Sequence, residues 1–310
     1  MLNKLLQLVE EDLGRGDITS EITLKKGTRA EGRVTCNSPG VLAGLEECKA
    51  LLKHFKISCE SSFADGDVIK KGDVILRLRG DAKRILGLER VMLNLLMRMS
   101  GIATETRRLS RTCEKYGVTL AGTRKTTPGF RYFEKKAISI GGGYAHRLDL
   151  SSGVLIKDNH IALLGLEKAV ARARKGAKGR EVEVEVSSLQ DALRACRAGA
   201  SIVMLDNLPP EEVRDIIKEL EKLGLREKVK IEVSGGVTPE NLEEYARLKP
   251  DYISMGYLTT GVRWLDMSMK LRRISEDAKK DAKLKEARGI ARHRVKLEEV
   301  EEALGKDEVR

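Results

Sequence analysis

From about residue 118 the chain repeats one theme: a short apolar, β-rich run that ends on a charged residue or a glycine. Val118 to Ala121, Val154 to Ile156, Val182 to Val186, Ile202 to Leu205, Lys230 to Val233 and Tyr252 to Met255 are the clear members, and Ala137 to Ile140 is a weaker one. Helical patterns fill the later gaps, at Leu189 to Ala198, Glu211 to Leu223 and Pro239 to Arg247. A run and its helix take roughly 20–30 residues, the length of one β-α repeat. Nearly continuous apolar strands imply burial on both faces, as in a parallel sheet or barrel. About seven strands come close to the eight of a closed (β/α) barrel.

The first hundred residues have another texture. Leu2, Leu5, Leu6, Val9 and Leu13 follow helical spacing, and Gly14 and Gly16 stop that helix. Asp65-Gly66-Asp67 and Lys71-Gly72-Asp73 set off short strands at Val68-Ile69 and Val74 to Leu78. Arg84 to Ala103 predicts a long helix with one broad apolar face. The expected division is an N-terminal α/β domain at 1–105, an α/β-barrel catalytic domain at 106–265, and a C-terminal return segment with a charged helical extension at 266–310. A weak apolar stripe through Ile290, Val295, Val300 and Leu304 predicts surface helices in that extension.

Composition narrows the class. The chain has 310 residues, 41% of them hydrophobic, enough to bury a sizeable core. No run approaches the roughly 18 apolar residues of a membrane-spanning helix. The first seventeen residues carry acids where a signal peptide needs a small-residue cleavage site. Cys36, Cys48, Cys59, Cys113 and Cys196 are scattered without a C-x-x-C pair, which predicts a reducing, cytoplasmic setting and no zinc site. The net charge of +11 suits phosphates, acidic small molecules or nucleic acid. Aromatics at 4%, and no RNP, KH or zinc-finger signature, point away from nucleic acid.

The residues after the apolar runs sort by chemistry. Arg124 and Lys125 follow the first run, and Lys157 follows Ile156. With Arg147 and the adjacent His146 they form a cationic set suited to carboxylates or phosphates. Glu185 and Asp206 close the next two runs and could hold Mg²⁺, which takes one or two carboxylates plus substrate oxygens and water. Glu183, two residues earlier, shares a strand face with Glu185. Ser234-Gly235-Gly236 and Gly256 supply glycine loops for a phosphate. In a β/α barrel the positions that follow the apolar runs converge on the C-terminal face, where active sites are built. The residues alone predict Mg²⁺-dependent chemistry on an anion carrying phosphate and carboxylate.

The stretch Ala121 to His160, AGTRKTTPGFRYFEKKAISIGGGYAHRLDLSSGVLIKDNH, resembles the quinolinate phosphoribosyltransferase (carboxylating nicotinate-nucleotide pyrophosphorylase) family. EDLGRGDIT, GVLAGLE, ERVMLNLLMRMSGIAT, EVEVSSL, MLDN, VSGGV and SMGYLT extend the resemblance over about residues 5 to 270. It implies an α/β sandwich N-terminal domain joined to an incomplete barrel, in homodimers or homohexamers with shared active sites. It implies transfer of phosphoribosyl from phosphoribosyl pyrophosphate to quinolinate, giving nicotinate mononucleotide, pyrophosphate and CO₂ on the de novo route to NAD. Carried onto this chain, the family pattern makes Lys125, Lys157, Glu185 and Asp206 the catalytic residues. Thr123, Arg124, His146 and Arg147 join them in binding substrate, with Arg124, Arg147 and Lys157 on the quinolinate carboxylates. Ser234, Gly235, Gly236, Met255, Gly256 and Tyr257 form the phosphate loops, Glu185 and Asp206 hold Mg²⁺, and Arg90 reaches in from a neighbouring subunit.

The chain departs from the family pattern at Ser187, often an acid, at Lys136, often Tyr, and at Thr260-Gly261, often His-Ser. None removes a charge named above. Two other readings keep the barrel: a relative with a different substrate, and a class I aldolase with Lys157 as the Schiff-base amine.

Overall fold

The computed structural model describes residues 1–274; the helices predicted beyond them lie outside the described residues. The first part of the chain runs α1 (Leu2–Leu13), α2 (Ile18–Thr23), β1 (Arg29–Cys36), β2 (Gly40–Val41), α3 (Leu45–His54), β3 (Ser58–Glu60), β4 (Val68–Ile69), β5 (Val74–Asp81) and α4 (Ala82–Glu114). The barrel part follows as β6 (Thr119–Gly122), α5 (Arg131–Ile140), β7 (Val154–Ile156), α6 (Asp158–Leu164), α7 (Leu166–Gly176), β8 (Val182–Val186) and α8 (Leu189–Ala198). It continues through β9 (Ile202–Asp206), α9 (Pro210–Lys222), β10 (Lys230–Ser234), α10 (Leu242–Ala246), β11 (Tyr252–Met255) and α11 (Tyr257–Thr260), and β12 (Met267–Arg273) ends it.

The first sheet is antiparallel, in the order β12-β1-β5-β3. Strand β1 alternates: Ala30, Val34 and Cys36 are buried while Arg29 and Arg33 are exposed. That period of two marks a sheet with one face on the core and one in water. Helix α4 covers the apolar face. The side chain of Asp81 caps it by accepting from the Arg84 N–H at 3.1 Å, and Leu88, Met92, Leu95, Leu96 and Met99 are buried along it. Its Gly101 is required by contact: a Cβ there would lie 2.3 Å from the Arg263 carbonyl oxygen. The backbone before β12 thus packs directly on α4, and β12 returns to pair with β1.

The second sheet is parallel, in the order β6-β11-β10-β9-β8-β7. Strands β7 to β11 lie side by side in chain order and β6 closes against β11, which is barrel order opened between β6 and β7. It has six strands rather than about seven, because Ala137–Ile140 is the last turn of α5. Phe133, Glu134, Ala137 and Ile138 are buried at helical spacing, and a four-residue apolar run does not by itself distinguish strand from helix. Tyr144 makes an isolated parallel bridge to Ala121 beside β6. Helix α10 is also shorter than Pro239 to Arg247 and begins after Asn241, whose side chain accepts from the Thr238 N–H. No helix among the described residues is long and apolar enough to cross a membrane.

Candidate active site

The register stacks the strand-end residues in layers. Ser234 is level with Asp206 on one side and with Ser254 on the other. Glu185 is level with Met204, one side-chain layer below Asp206. Glu183 is level with Ile202, a further layer down, and Glu232 is level with Met204 and Tyr252. The alternate positions, Val184, Val186, Val203, Leu205, Ile231, Val233 and Ile253, belong to the apolar core. One face of the curved sheet therefore packs on helices, and the other lines an interior containing four carboxylates: Glu183, Glu185, Asp206 and Glu232. An ordinary barrel interior is filled with branched apolar side chains.

Cations rise from the two open edges. On the β6 edge, Thr123 Oγ1 accepts from the Lys125 N–H at 3.1 Å, and the buried Nε of Arg124 has no partner. On the β7 edge, Lys157 Nζ forms an ion pair with Glu185 Oε2. Arg147 donates to the Gly153 carbonyl at 3.4 Å. Burial lowers its pKa, with Glu183 opposing and the nearby Arg124 charge adding to the fall. Met255 is fully buried in the apolar core, so only its backbone is available to a ligand. Gly256 passes so close to Lys125 that a Cβ would lie 3.3 Å from its Cδ. Gly235 and Gly236 both have positive φ, 78° and 65°. A Cβ on Gly235 would lie 2.4 Å from Asn207 Oδ1, and no protein group among the described residues accepts from either glycine N–H. Free N–H groups on a left-handed turn form an anion cradle.

His146 sits deeper. Its φ is 57°, its Nδ1 accepts from the Arg147 N–H at 2.8 Å, and its Nε2 lies 3.2 Å from Glu232 Oε2 and 3.6 Å from Glu183 Oε2. That pattern places the ring proton on Nε2. Burial pulls the His146 pKa down, but the hydrogen bond and charge of Glu232, with Glu183 behind it, outweigh burial and raise it. Burial and then the Glu232 charge push the Glu183 carboxyl up to about 7. A cavity of about 300 Å³ opens beside this group at the beginnings of the strands, lined by Tyr144, Arg147, Arg180 and Tyr252 among others.

Both carboxylates expected to hold Mg²⁺ suit a hard cation. Asp206 Oδ2 accepts from Asn207 Nδ2 at 2.6 Å and Glu185 Oε2 faces Lys157, while the second oxygen of each has no partner among the described residues. His146, Glu183 and Glu232 also bring ligand atoms within 4.8 Å of one another. Lys135 acts electrostatically on that His and Arg147 on Glu183, so these acids already have cationic neighbours.

Two family models match the chain: the quinolinate phosphoribosyl transferase N-terminal domain over residues 17–100 and its C-terminal domain over residues 102–270. The chain belongs to this family. It is 48% identical over 259 residues to a probable nicotinate-nucleotide pyrophosphorylase (carboxylating) of Archaeoglobus fulgidus, covering 83% of this chain and 98% of that one. A relative of the same description from Methanothermobacter thermautotrophicus is 44% identical over 276 residues, covering 88% and 99%. The solved structure of NadC from Streptococcus pyogenes superposes with a TM-score of 0.80 at 35% identity, over 88% of this chain and 96% of that one.

Against the family pattern the structure gathers Thr123, Arg124, Lys125, His146, Arg147, Lys157, Glu185, Asp206 and the glycine loops around one barrel. Arg90 stands apart: it is exposed on α4 with no hydrogen bond or ion pair among the described residues. Three residues were not singled out from the sequence. Lys135 is buried, donates to the Ala145 and Gly122 carbonyls, and is pulled down to about 8 by burial and then by Arg131, Arg147 and Arg124. Glu232 anchors His146, and Asn207, at φ 55°, buttresses Gly235. Of the three, only Glu232 had a sequence signal, a charge alternating with apolar residues inside a β run.

Proposed function

We propose that the barrel mouth joins quinolinate to phosphoribosyl pyrophosphate, the carboxylating nicotinate-nucleotide pyrophosphorylase reaction of NAD biosynthesis. The observation that carries this reading is the order of charge around the mouth. Cations follow β6 and β7, carboxylates stand at or next to the ends of β9 and β8, and glycine loops follow β10 and β11. A pyridine dicarboxylate, a ribose and a 5′-phosphate present matching chemistry.

In this reading Arg124, Arg147 and Lys157 grip the two quinolinate carboxylates, and Lys125 balances nearby charge. His146, held by Glu232, sets the backbone from which Arg147 projects. Glu185 and Asp206 hold the ribose hydroxyls and Mg²⁺, and Ser234, Gly235, Gly236, Met255, Gly256 and Tyr257 surround the 5′-phosphate. The bound metal supplies charge neutralisation on the departing pyrophosphate. The pyridine nitrogen forms its bond to ribose C1 as the C1–O bond to pyrophosphate breaks. The 2-carboxylate then leaves as CO₂ and a proton takes its place. The Lys157–Glu185 pair must open for both side chains to meet substrate, so binding exchanges one ion pair for two. In a homodimer or homohexamer, Arg90 of one subunit would face the mouth of the next.

The aldolase reading needs a desolvated, unpaired amine. Lys157 is about half exposed and already paired with Glu185. The deciding experiment supplies quinolinate, phosphoribosyl pyrophosphate and Mg²⁺ and measures nicotinate mononucleotide and CO₂. Both should form in equal amounts. Product from nicotinate or another acid, with none from quinolinate, would instead establish the different-substrate relative.

A further inference from the structure

Between the two domains, a buried ion pair occupies a position the reaction scheme does not use. Glu134 on α5 has a fully buried side chain, and Arg98 on α4 is nearly so. Glu134 Oε1 accepts from Arg98 Nη2 at 2.6 Å and Nε at 3.1 Å, and from Thr127 Oγ1 at 2.9 Å. Its Oε2 accepts from the Thr127 N–H at 3.0 Å. Arg98 also donates to the Thr259 carbonyl and, at 3.4 Å, to the Val262 carbonyl. The Thr259 hydroxyl in turn donates to the Lys125 carbonyl at 2.6 Å. None of these side-chain atoms is left buried without a partner.

We propose that Arg98 and Glu134 are positioning residues that fix the Thr123–Thr127 loop, and with it Arg124 and Lys125, in the form that receives substrate. This rests on the functional reading above. The loop follows β6 and precedes α5, and no residue in it belongs to a strand or helix. Ladder hydrogen bonds therefore do not fix its shape. Glu134 holds its far end through both the N–H and the hydroxyl of Thr127. Thr259, anchored by Arg98, holds its middle at the Lys125 carbonyl. The loop's cationic side chains repel one another and would spread if the backbone were free. A buried ion pair is also a poor source of net stability compared with apolar groups of similar size. Its presence here is explained by geometry: only a planar fork can bond a carboxylate and two carbonyls at once. Arg98 lies eight residues beyond Arg90 on the same helix, about 12 Å along its axis. One rigid element thus carries the loop's anchor and the arginine that the family pattern gives to a neighbouring subunit.

The test is the paired variant Arg98→Met/Glu134→Leu, which replaces the ion pair with apolar groups of similar volume. Wild-type turnover of quinolinate is measured first, so failure of the functional reading appears there and is not confused with failure of this proposal. In the full-length variant the melting temperature should fall, because the Thr127 N–H and the Thr259 carbonyl lose their partners, and activity is therefore measured on the folded protein well below that temperature. Its kcat/KM should fall about a hundredfold, the scale of an ångström-sized misplacement. Part of the fall should appear as a raised KM for quinolinate, and amide exchange over residues 123–127 should quicken. Recovery of kcat/KM to within about threefold of wild type would show that the pair serves stability alone and overturn the proposal. Thr259→Val supplies a second measurement if the paired variant does not fold. It is nearly isosteric and removes the bond to the Lys125 carbonyl. It should lower kcat/KM about tenfold, and an unchanged value would overturn the proposal.

Discussion

The two larger sheets of this molecule are buried for different reasons. The inner face of the antiparallel sheet is apolar: Val34, Leu76 and Leu78 meet the buried leucines and methionines of α4. The inner face of the parallel sheet carries Glu183, Glu185, Asp206 and Glu232, answered by Arg124, Lys135, His146, Arg147 and Lys157 from the loops and from α5. Apolar burial stabilises in proportion to area, at about 25 cal/mol per Å². Charged groups taken from water return little net stability, even when paired. The first interior therefore holds the fold, and the second stores electrostatic potential at the expense of stability. Both share α4, which packs on the first sheet and sends Arg98 toward the second.

Two substitutions separate the interiors. The largest expected effect is on the apolar side. Leu96 is fully buried on α4, and Leu96→Ala should cost about 2–5 kcal/mol of unfolding free energy through lost transfer and a cavity. The kcat of the folded fraction should stay near wild type, since no charged group moves. Denaturant unfolding and active-site-normalised kinetics check both halves. A large kcat loss would mean that the layers are mechanically coupled. The next effect is on the charged side. Asp206→Asn keeps the shape at the end of β9 and removes one charge. Turnover at saturating Mg²⁺ should fall about 10²–10³-fold, as when one well-placed electrostatic group is lost, with the melting temperature little changed. Unchanged turnover would assign Asp206 a structural role and weaken the contrast.

The sequence made the outer half of each barrel strand easier to read than the inner half. Runs such as Ile202 to Leu205 announce strands because their helix-facing residues are apolar, and the charge or glycine ending each run marks the C-terminal edge of the sheet. Glu183 and Glu185 in the run Val182 to Val186 already showed the inward face, since side chains alternate along a strand. Lys135 was not legible. It lies in Glu134-Lys135-Lys136, three charged residues in a row on α5, and their sequence gives no sign of how differently they are used. In the structure Glu134 turns to Arg98, Lys135 enters the barrel interior, and Lys136 reaches Glu46 and Glu47 of α3, each at 2.8 Å. Helix geometry sends neighbouring residues in different directions, and which direction is buried depends on elements distant in sequence. The same limit applies to Ala137–Ile140, where tertiary packing extends α5 through an apolar run that also fits a strand.

The smallest expected effect concerns Lys135 and tests whether the charged interior is strained. Burial, and then the charges of Arg131, Arg147 and Arg124, pull its ammonium down to about 8. In the unfolded chain a lysine titrates near 10.4. Between those values the unfolded chain binds more protons than the folded one, so stability rises with pH in that window. The contribution is fully present above the unfolded value and is lost as pH falls through about 8. Lys135→Met keeps most of the buried stem and removes the titration. Stability should therefore shift toward wild type, relative to the variant, as pH rises from about 7 to about 10. The change should be on the order of 1–2 kcal/mol, because one pKa unit corresponds to about 1.4 kcal/mol and solvent reaching the barrel offsets part of the shift. Taking the difference between the two proteins removes every other group that titrates alike in both. A difference that stays constant across the window would mean that Lys135 keeps an ordinary pKa. The carboxylates of Glu183 and Glu232 would then fully balance the cations around it, and the barrel interior would be neutralised instead of strained.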